Sequence, residues 1–105
     1  MKKTVTLNGK SYKIIGKPED MPISLFNPAR KLTKAAQALG KDDEVTKAFY
    51  MDNMDNIIDV ADGAIRFALG DEQFKQAQGD IEGLSVVEFC TFGFDIMNKY
   101  STVAR

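Results

Sequence analysis

The chain has no histidine and no tryptophan among its 105 residues, and only one cysteine and three prolines. Without histidine there is no imidazole to serve as a base near neutral pH, to shuttle a proton or to hold a metal. A lone cysteine, Cys90, excludes an internal disulfide and any cysteine-cluster zinc site. No apolar run approaches the roughly 18 residues that a membrane-spanning helix needs, so no membrane partner is expected. The start, Met1-Lys2-Lys3-Thr4-Val5, carries lysines but no apolar stretch behind them, which is not the pattern of a secretory leader. The expectation is therefore a reduced, cytoplasmic protein. There is no glycine-rich phosphate loop, because Leu69-Gly70-Asp71-Glu72-Gln73 and Asn8-Gly9-Lys10 read as turn signals. Nothing supplies a nucleophile–base pair either, so the chain reads as a non-enzyme with no catalytic residue, cofactor or metal.

What is present is the composition of one ordinary globular domain, 44% hydrophobic and 28% charged. The net charge of −1 hides a polarity along the chain. Residues 1–41 carry nine Lys/Arg against two Asp/Glu, and residues 42–105 carry five against thirteen. Either the halves attract each other within one fold, or the basic end of one copy meets the acidic end of the next. Contacts of that second kind are heterologous and run into rings or filaments. Nucleic acid is a poor match, since the basic segment has no recognised docking motif and the acidic half would repel phosphate.

The expected fold class is α+β, mostly α: an N-terminal two-stranded β-hairpin packed on a bundle of about four helices, with one long central helix, in a single domain over 1–105. Residues 3–15 read as the hairpin. Strand formers flank Asn8-Gly9, the residue pair that best supplies the two positive φ angles of a type I′ turn. Residues 16–27 read as an apolar connector, and 28–100 as helical. Asn27-Pro28 has the chemistry of a helix start, running to about Leu39 and stopping at Gly40. Apolar residues then recur at i, i+3 and i+4 from Val45 to Leu69, which predicts one unbroken helix from Asp42 or Asp43 to just before Gly70. Gly63 in its interior costs about 1 kcal/mol relative to alanine, and a closely crossing neighbour would explain it. A short helix capped by Asp71 should reach Ala77 and end at Gly79. Ser85 and Glu88 form a capping box, with Leu84 and Phe89 as a hydrophobic staple, for a last helix to about Tyr100.

Three groups of side chains stand out as candidates for binding a partner. Asp52, Asp55, Asp59 and Asp62 fall at helical spacing and make an acidic stripe on the predicted long helix. It is either a solvated face or a docking strip for a basic partner, because one row along a helix cannot converge on a cation. The last helix is apolar on more than one side, so it is either nearly surrounded in the core or open to a partner. Phe92 and Phe94 straddle Gly93 and face different ways, which places one of them at an interface, and Met97, with Met51 and Met54, is either core filler or adaptable binding surface. Arg30, Lys31 and Lys34 form the polar, basic face of the first helix.

An Asn8-Gly9 hairpin, a proline-bearing connector, a long amphipathic helix, Leu69-Gly70-Asp71-Glu72-Gln73-Phe74, and Gly83-Leu84-Ser85 opening a final helix make an order that resembles the tail assembly chaperones of long-tailed bacteriophages. The resemblance covers roughly residues 3–100 and rests on architecture, size and the LGDEQF…GLS segment. It implies a small, mostly helical protein that coats the long helical tape-measure protein, keeps it soluble and recruits tail-tube subunits. It also implies a place in the host cytoplasm and absence from the mature virion. Two other classes stay open: a structural head–tail or tail component of a particle, and a small nucleic-acid-binding regulator using Arg30, Lys31 and Lys34.

Overall fold

Asn8 and Gly9 take positive φ angles of 53° and 80°. They close a two-residue turn between β1 (Thr4–Leu7) and β2 (Lys10–Lys13), which pair antiparallel with Leu7 opposite Lys10 and Val5 opposite Tyr12. The alternation of strand side chains sends Val5, Leu7 and Tyr12 into the core, followed by Ile14, while Thr4, Thr6 and Ser11 face water. A two-stranded hairpin is marginal alone, and here it is tied to helices at both ends. In this computed structural model, which describes residues 3–40 and 42–103, the hairpin is followed by a 3₁₀ turn at Pro18–Asp20 and four helices. They are α1 (Ile23–Gln37), α2 (Asp43–Asp52), α3 (Met54–Glu82) and α4 (Val86–Val103). The fold is thus α+β and mostly helical, with the 29-residue α3 as its longest element.

The core forms where α3 and α4 meet under the hairpin. Ile57, Ile65, Leu69 and Ile96 are its largest fully buried side chains. Ala61, Ala64 and Ala68 give α3 a small-residue face, and Gly93 brings the α4 backbone onto it. A Cβ at position 93 would lie 2.5 Å from the Ala61 Cβ and 2.7 Å from its Cα. α3 kinks at Gly70, whose φ of 75° and ψ of 168° are open to glycine and costly for other residues. At the kink the Ala68 carbonyl accepts from the Ile15 and Gly16 amides, at 2.8 and 3.3 Å. One turn on, the Gln73 side chain behaves as an extra strand residue. Its Nε2 donates to the Lys13 carbonyl at 2.7 Å and its Oε1 accepts from the Lys13 N–H at 3.1 Å, which covers the outer edge of β2 at Lys13. From α4, the Tyr100 hydroxyl donates to the Gly16 carbonyl at 2.7 Å.

Several boundaries depart from the sequence reading. The connector ends early, because α1 begins at Ile23 and not at Pro28. Pro22, extended at φ −59° and ψ 140°, is the residue before the helix, and its carbonyl accepts from the Leu25 and Phe26 amides. Asn27 therefore sits inside α1, and Pro28 deletes only one bond of its second turn. The single helix expected from Asp42 or Asp43 to Leu69 is broken at Asn53 (φ −114°, ψ 15°). The Asn53 Nδ2 donates to the Phe49 carbonyl at 2.9 Å, a local bond of the kind that competes with the helical ladder. The break turns α2 so that Tyr50 meets Phe94 edge-on, at 6.3 Å between ring centroids. Beyond Gly70, the helix runs past Ala77 and Gly79 to Glu82. Other expectations hold: the Ser85 Oγ accepts from the Glu88 N–H at 3.1 Å and a Glu88 carboxylate oxygen accepts from the Ser85 N–H at 3.0 Å, completing the capping box. Gly63 does have a close neighbour, the Leu25 side chain of α1, whose Cδ1 would lie 2.9 Å from an added Cβ.

Candidate partner-binding surface

Apolar side chains that the fold leaves in water are where partner binding has to start, and α1 and α2 hold most of them. Ile23 is 68% exposed, Phe26 43%, Val45 45% and Met51 73%. α1 buries only Ala29 and Leu32, and α2 buries no residue completely. α2 exists as a helix largely through its own ends. The Asp42 carboxylate accepts from the Glu44 and Val45 amides at 2.9 and 3.3 Å, and Asp43 and Glu44 place negative charge in the first turn. Phe49 and Tyr50 are its half-buried anchors on the core. Val45, Ala48 and Met51 share the side turned to water.

The acidic stripe is divided. Asp52 is the last residue of α2, while Asp55, Asp59 and Asp62 lie on α3, across the break at Asn53. The first three are exposed. Asp62 is half-exposed and accepts from the Arg66 Nε at 2.9 Å, one helical turn away. The Arg66 guanidinium also lies over the Phe74 ring, 4.2 Å from its centre. Arg30, Lys31 and Lys34 project from α1 into water. Among the described residues, Lys10–Asp80 at 3.7 Å is the ion pair that joins the basic and acidic halves. Most of the charge polarity is therefore unspent inside the fold.

The last helix resolves differently from an open aromatic surface. Phe92 and Met97 are buried in the core, and Phe94 is half-buried against Tyr50. Phe92 and Met97 therefore serve the core first, with 7% and 6% of their surface left exposed. The physical reason is that α4 is nearly surrounded: α3 covers one side and the hairpin another, and the apolar residues left over are Val86 and Val87 at its start. The methionines divide the same way, with Met97 buried, Met54 half-buried and Met51 out. The exposed Ile23 and Phe26 fall within residues 16–27, which read as a connector; their i, i+3 spacing after Pro22 is the sequence signal of this helical face.

Cys90 is buried, and loss of solvent pushes its thiol above the usual range, which disfavours the reactive thiolate. Glu88 is held below the usual carboxylate range by its bonds to the Ser85 backbone and hydroxyl, a capping role. Among the described residues no three histidine, cysteine, aspartate or glutamate side chains gather in a way that could hold a metal ion. No described helix is long and apolar enough to cross a membrane. No family model, curated protein or solved structure matches the chain.

Proposed function

We propose that the protein is a non-enzymatic tail assembly chaperone of a long-tailed bacteriophage. In this reading it acts in the host cytoplasm, binds the helical tape-measure protein and helps recruit tail-tube subunits. The observation that carries the reading is that α1 and α2 each bury little of their apolar surface. Ile23, Phe26, Val45 and Met51 offer apolar side chains in water, and an amphipathic client helix is bound through contacts of that kind at i, i+3, i+4 spacing. The resemblance over residues 3–100 supplies the client. The charge polarity supports lining up neighbouring copies along an extended partner, where weak contacts sum by multivalency.

The test is co-expression with a phage tape-measure protein, a long coiled-coil-rich chain of the kind the reading expects to be encoded directly downstream. The expected result is a soluble complex of the two, with the tape-measure candidate insoluble when expressed alone. A candidate equally soluble alone and never co-purifying sinks the reading. Mass spectrometry of purified particles separates the structural-component alternative, since a chaperone is missing from them and a component remains. A mobility shift at low salt reports on the regulator alternative through Arg30, Lys31 and Lys34.

A further inference from the structure

The two edges of the hairpin are treated differently by the rest of the molecule. Leu7–Lys10 flank the turn and Val5–Tyr12 lie two residues on, and the Ile14 N–H donates to the Lys3 carbonyl at 2.8 Å. In an antiparallel pair, residues that exchange ladder bonds alternate with residues whose N–H and C=O point away from the partner strand. Lys3, Val5 and Leu7 are therefore the bonded set of β1, and Thr4 and Thr6 aim their backbone groups outward. On β2 the matching outward residues are Ser11 and Lys13, and Gln73 satisfies both backbone groups of Lys13. On β1 nothing among the described residues plays that part for Thr4 or Thr6. An exposed strand edge of this kind is a template for another strand unless it is blocked.

The open edge does not face bulk water alone. Its turn end, Thr6 and Leu7, forms one wall of a groove of about 540 Å³ whose other wall is the first half of α4. β1 and α4 are tied at one end by the Lys3 Nζ, which donates to the Lys99 carbonyl at 3.2 Å. At the other end the Asn8 amide of the turn donates to Asp80, near the end of α3, at 2.9 Å. Leu84 and Phe92 line the groove, and Val87, 72% exposed, stands at its rim. Its charged lining residues are Asp80, Glu88 and Asp95, with no lysine or arginine among them.

We propose that this groove binds an extended peptide segment by strand addition to β1, and that the segment alternates apolar with basic residues. The backbone of the segment pairs with the outward groups of Thr4 and Thr6. One set of its side chains packs on Val87, Leu84 and Phe92, and the basic set meets Glu88 and Asp95. The acidic lining, with no cation beside it, favours a basic segment over an acidic one. The site is built from β1, the end of α3 and α4, so it stands apart from the α1–α2 surface and from the reading based on it.

The experiment is fluorescence anisotropy of the full chain with a short fluorescein-labelled peptide that alternates valine and lysine, at low ionic strength. Saturable binding is expected, lost when glutamate replaces lysine in the peptide and weakened by salt. Thr6→Pro removes an outward N–H at an edge position where proline is tolerated, and should weaken binding about tenfold. Asp95→Lys, on the exposed side of α4, should weaken it about fivefold. A peptide N-methylated at alternate amides reports on the backbone pairing without altering the protein, and one of the two methylation registers should fail to bind. Binding that survives both methylation registers overturns strand addition. Binding indifferent to the peptide's charge overturns the basic partner. The absence of saturable binding, or a self-association of the chain that Thr6→Pro abolishes and the peptide cannot displace, overturns the proposal as a whole.

Discussion

The hairpin side of the molecule and the α1–α2 arm are built from similar residues and finish in different states. Around the hairpin, α3 and α4 close on each other through alanine and glycine, and polar side chains complete the backbone: Gln73 on Lys13, Tyr100 on Gly16. In the arm, two buried residues hold α1 and none hold α2, while four large apolar side chains remain in water. Helices in proteins owe most of their stability to the face they bury. The difference therefore divides the molecule into a part that carries most of the core, with Ile15, Val86 and Val87 left out of it, and a part that buries little and exposes the larger share of apolar side chains. Local opening of the arm should cost far less than global unfolding.

Two glycines give the sharpest way to break that comparison, and the largest effect. Gly93 meets the Ala61 backbone of α3, which cannot give way, and Gly63 meets the tip of the Leu25 side chain from the arm, which can rotate aside. Gly93→Val should cost about 3 kcal/mol, because the α3–α4 crossing must part. Gly63→Ala should stay within about 1 kcal/mol of the wild type, since the gain in helix propensity offsets the displaced leucine. Urea denaturation of both variants is the measurement. Equal costs would mean that the arm is packed as firmly as the hairpin side.

A smaller effect sharpens the same contrast through pH. Burial pushes the Tyr100 hydroxyl from its ordinary 10.0 up to about 12. The protonated hydroxyl is the form that donates to Gly16. A folded-state value raised above the unfolded one gives stability that is fully present below about pH 10 and lost as pH rises toward about 12. Tyr100→Phe should cost about 1 kcal/mol at neutral pH by leaving the Gly16 carbonyl without its donor. The gap between wild type and variant should then close between pH 10 and pH 12 in denaturation midpoints, whereas substitutions in α2 should show no such window. A gap that stays constant with pH would show that the hydroxyl plays no part.

Most of the fold was legible because its signals are local. Asn8-Gly9 dictates its turn from two residues, and Ser85 with Glu88 dictates a helix start from four. Gly70 was readable as a stop, and its backbone does leave the helical region there. What the sequence concealed depends on competition at a distance. Val45 to Leu69 keeps a helical period almost without a break, yet the gain from bringing Tyr50 onto Phe94 and the local bond of Asn53 favour a bend. The start of α1 was hidden because Asn27-Pro28 has the chemistry of a cap, while Pro22 holds the position with no capping side chain. For the surface, the exposed cations and carboxylates were legible as polar residues. The fate of Phe92 and Met97 was not, because a helix apolar all round reads alike whether it is surrounded by its own chain or by another.

The smallest expected effect is the most informative about the arm. Val45→Ser with Met51→Ser removes two apolar side chains that are about half and nearly three-quarters exposed. Substitutions that expose no new cavity and break no cap usually change stability by less than about 0.5 kcal/mol. The Asp42 cap and the anchors Phe49 and Tyr50 stay in place. The urea midpoint should therefore hardly move, and the amides of α2 should exchange with solvent as fast as in the wild type. In the complex with the tape-measure candidate the same pair should lower affinity, since the client loses apolar contacts that the folded monomer never used. A variant that unfolds as readily as Gly93→Val would place these side chains in the core's service. One that keeps both its stability and its full affinity would move the binding surface off α2 and leave Ile23 and Phe26 of α1 to carry it.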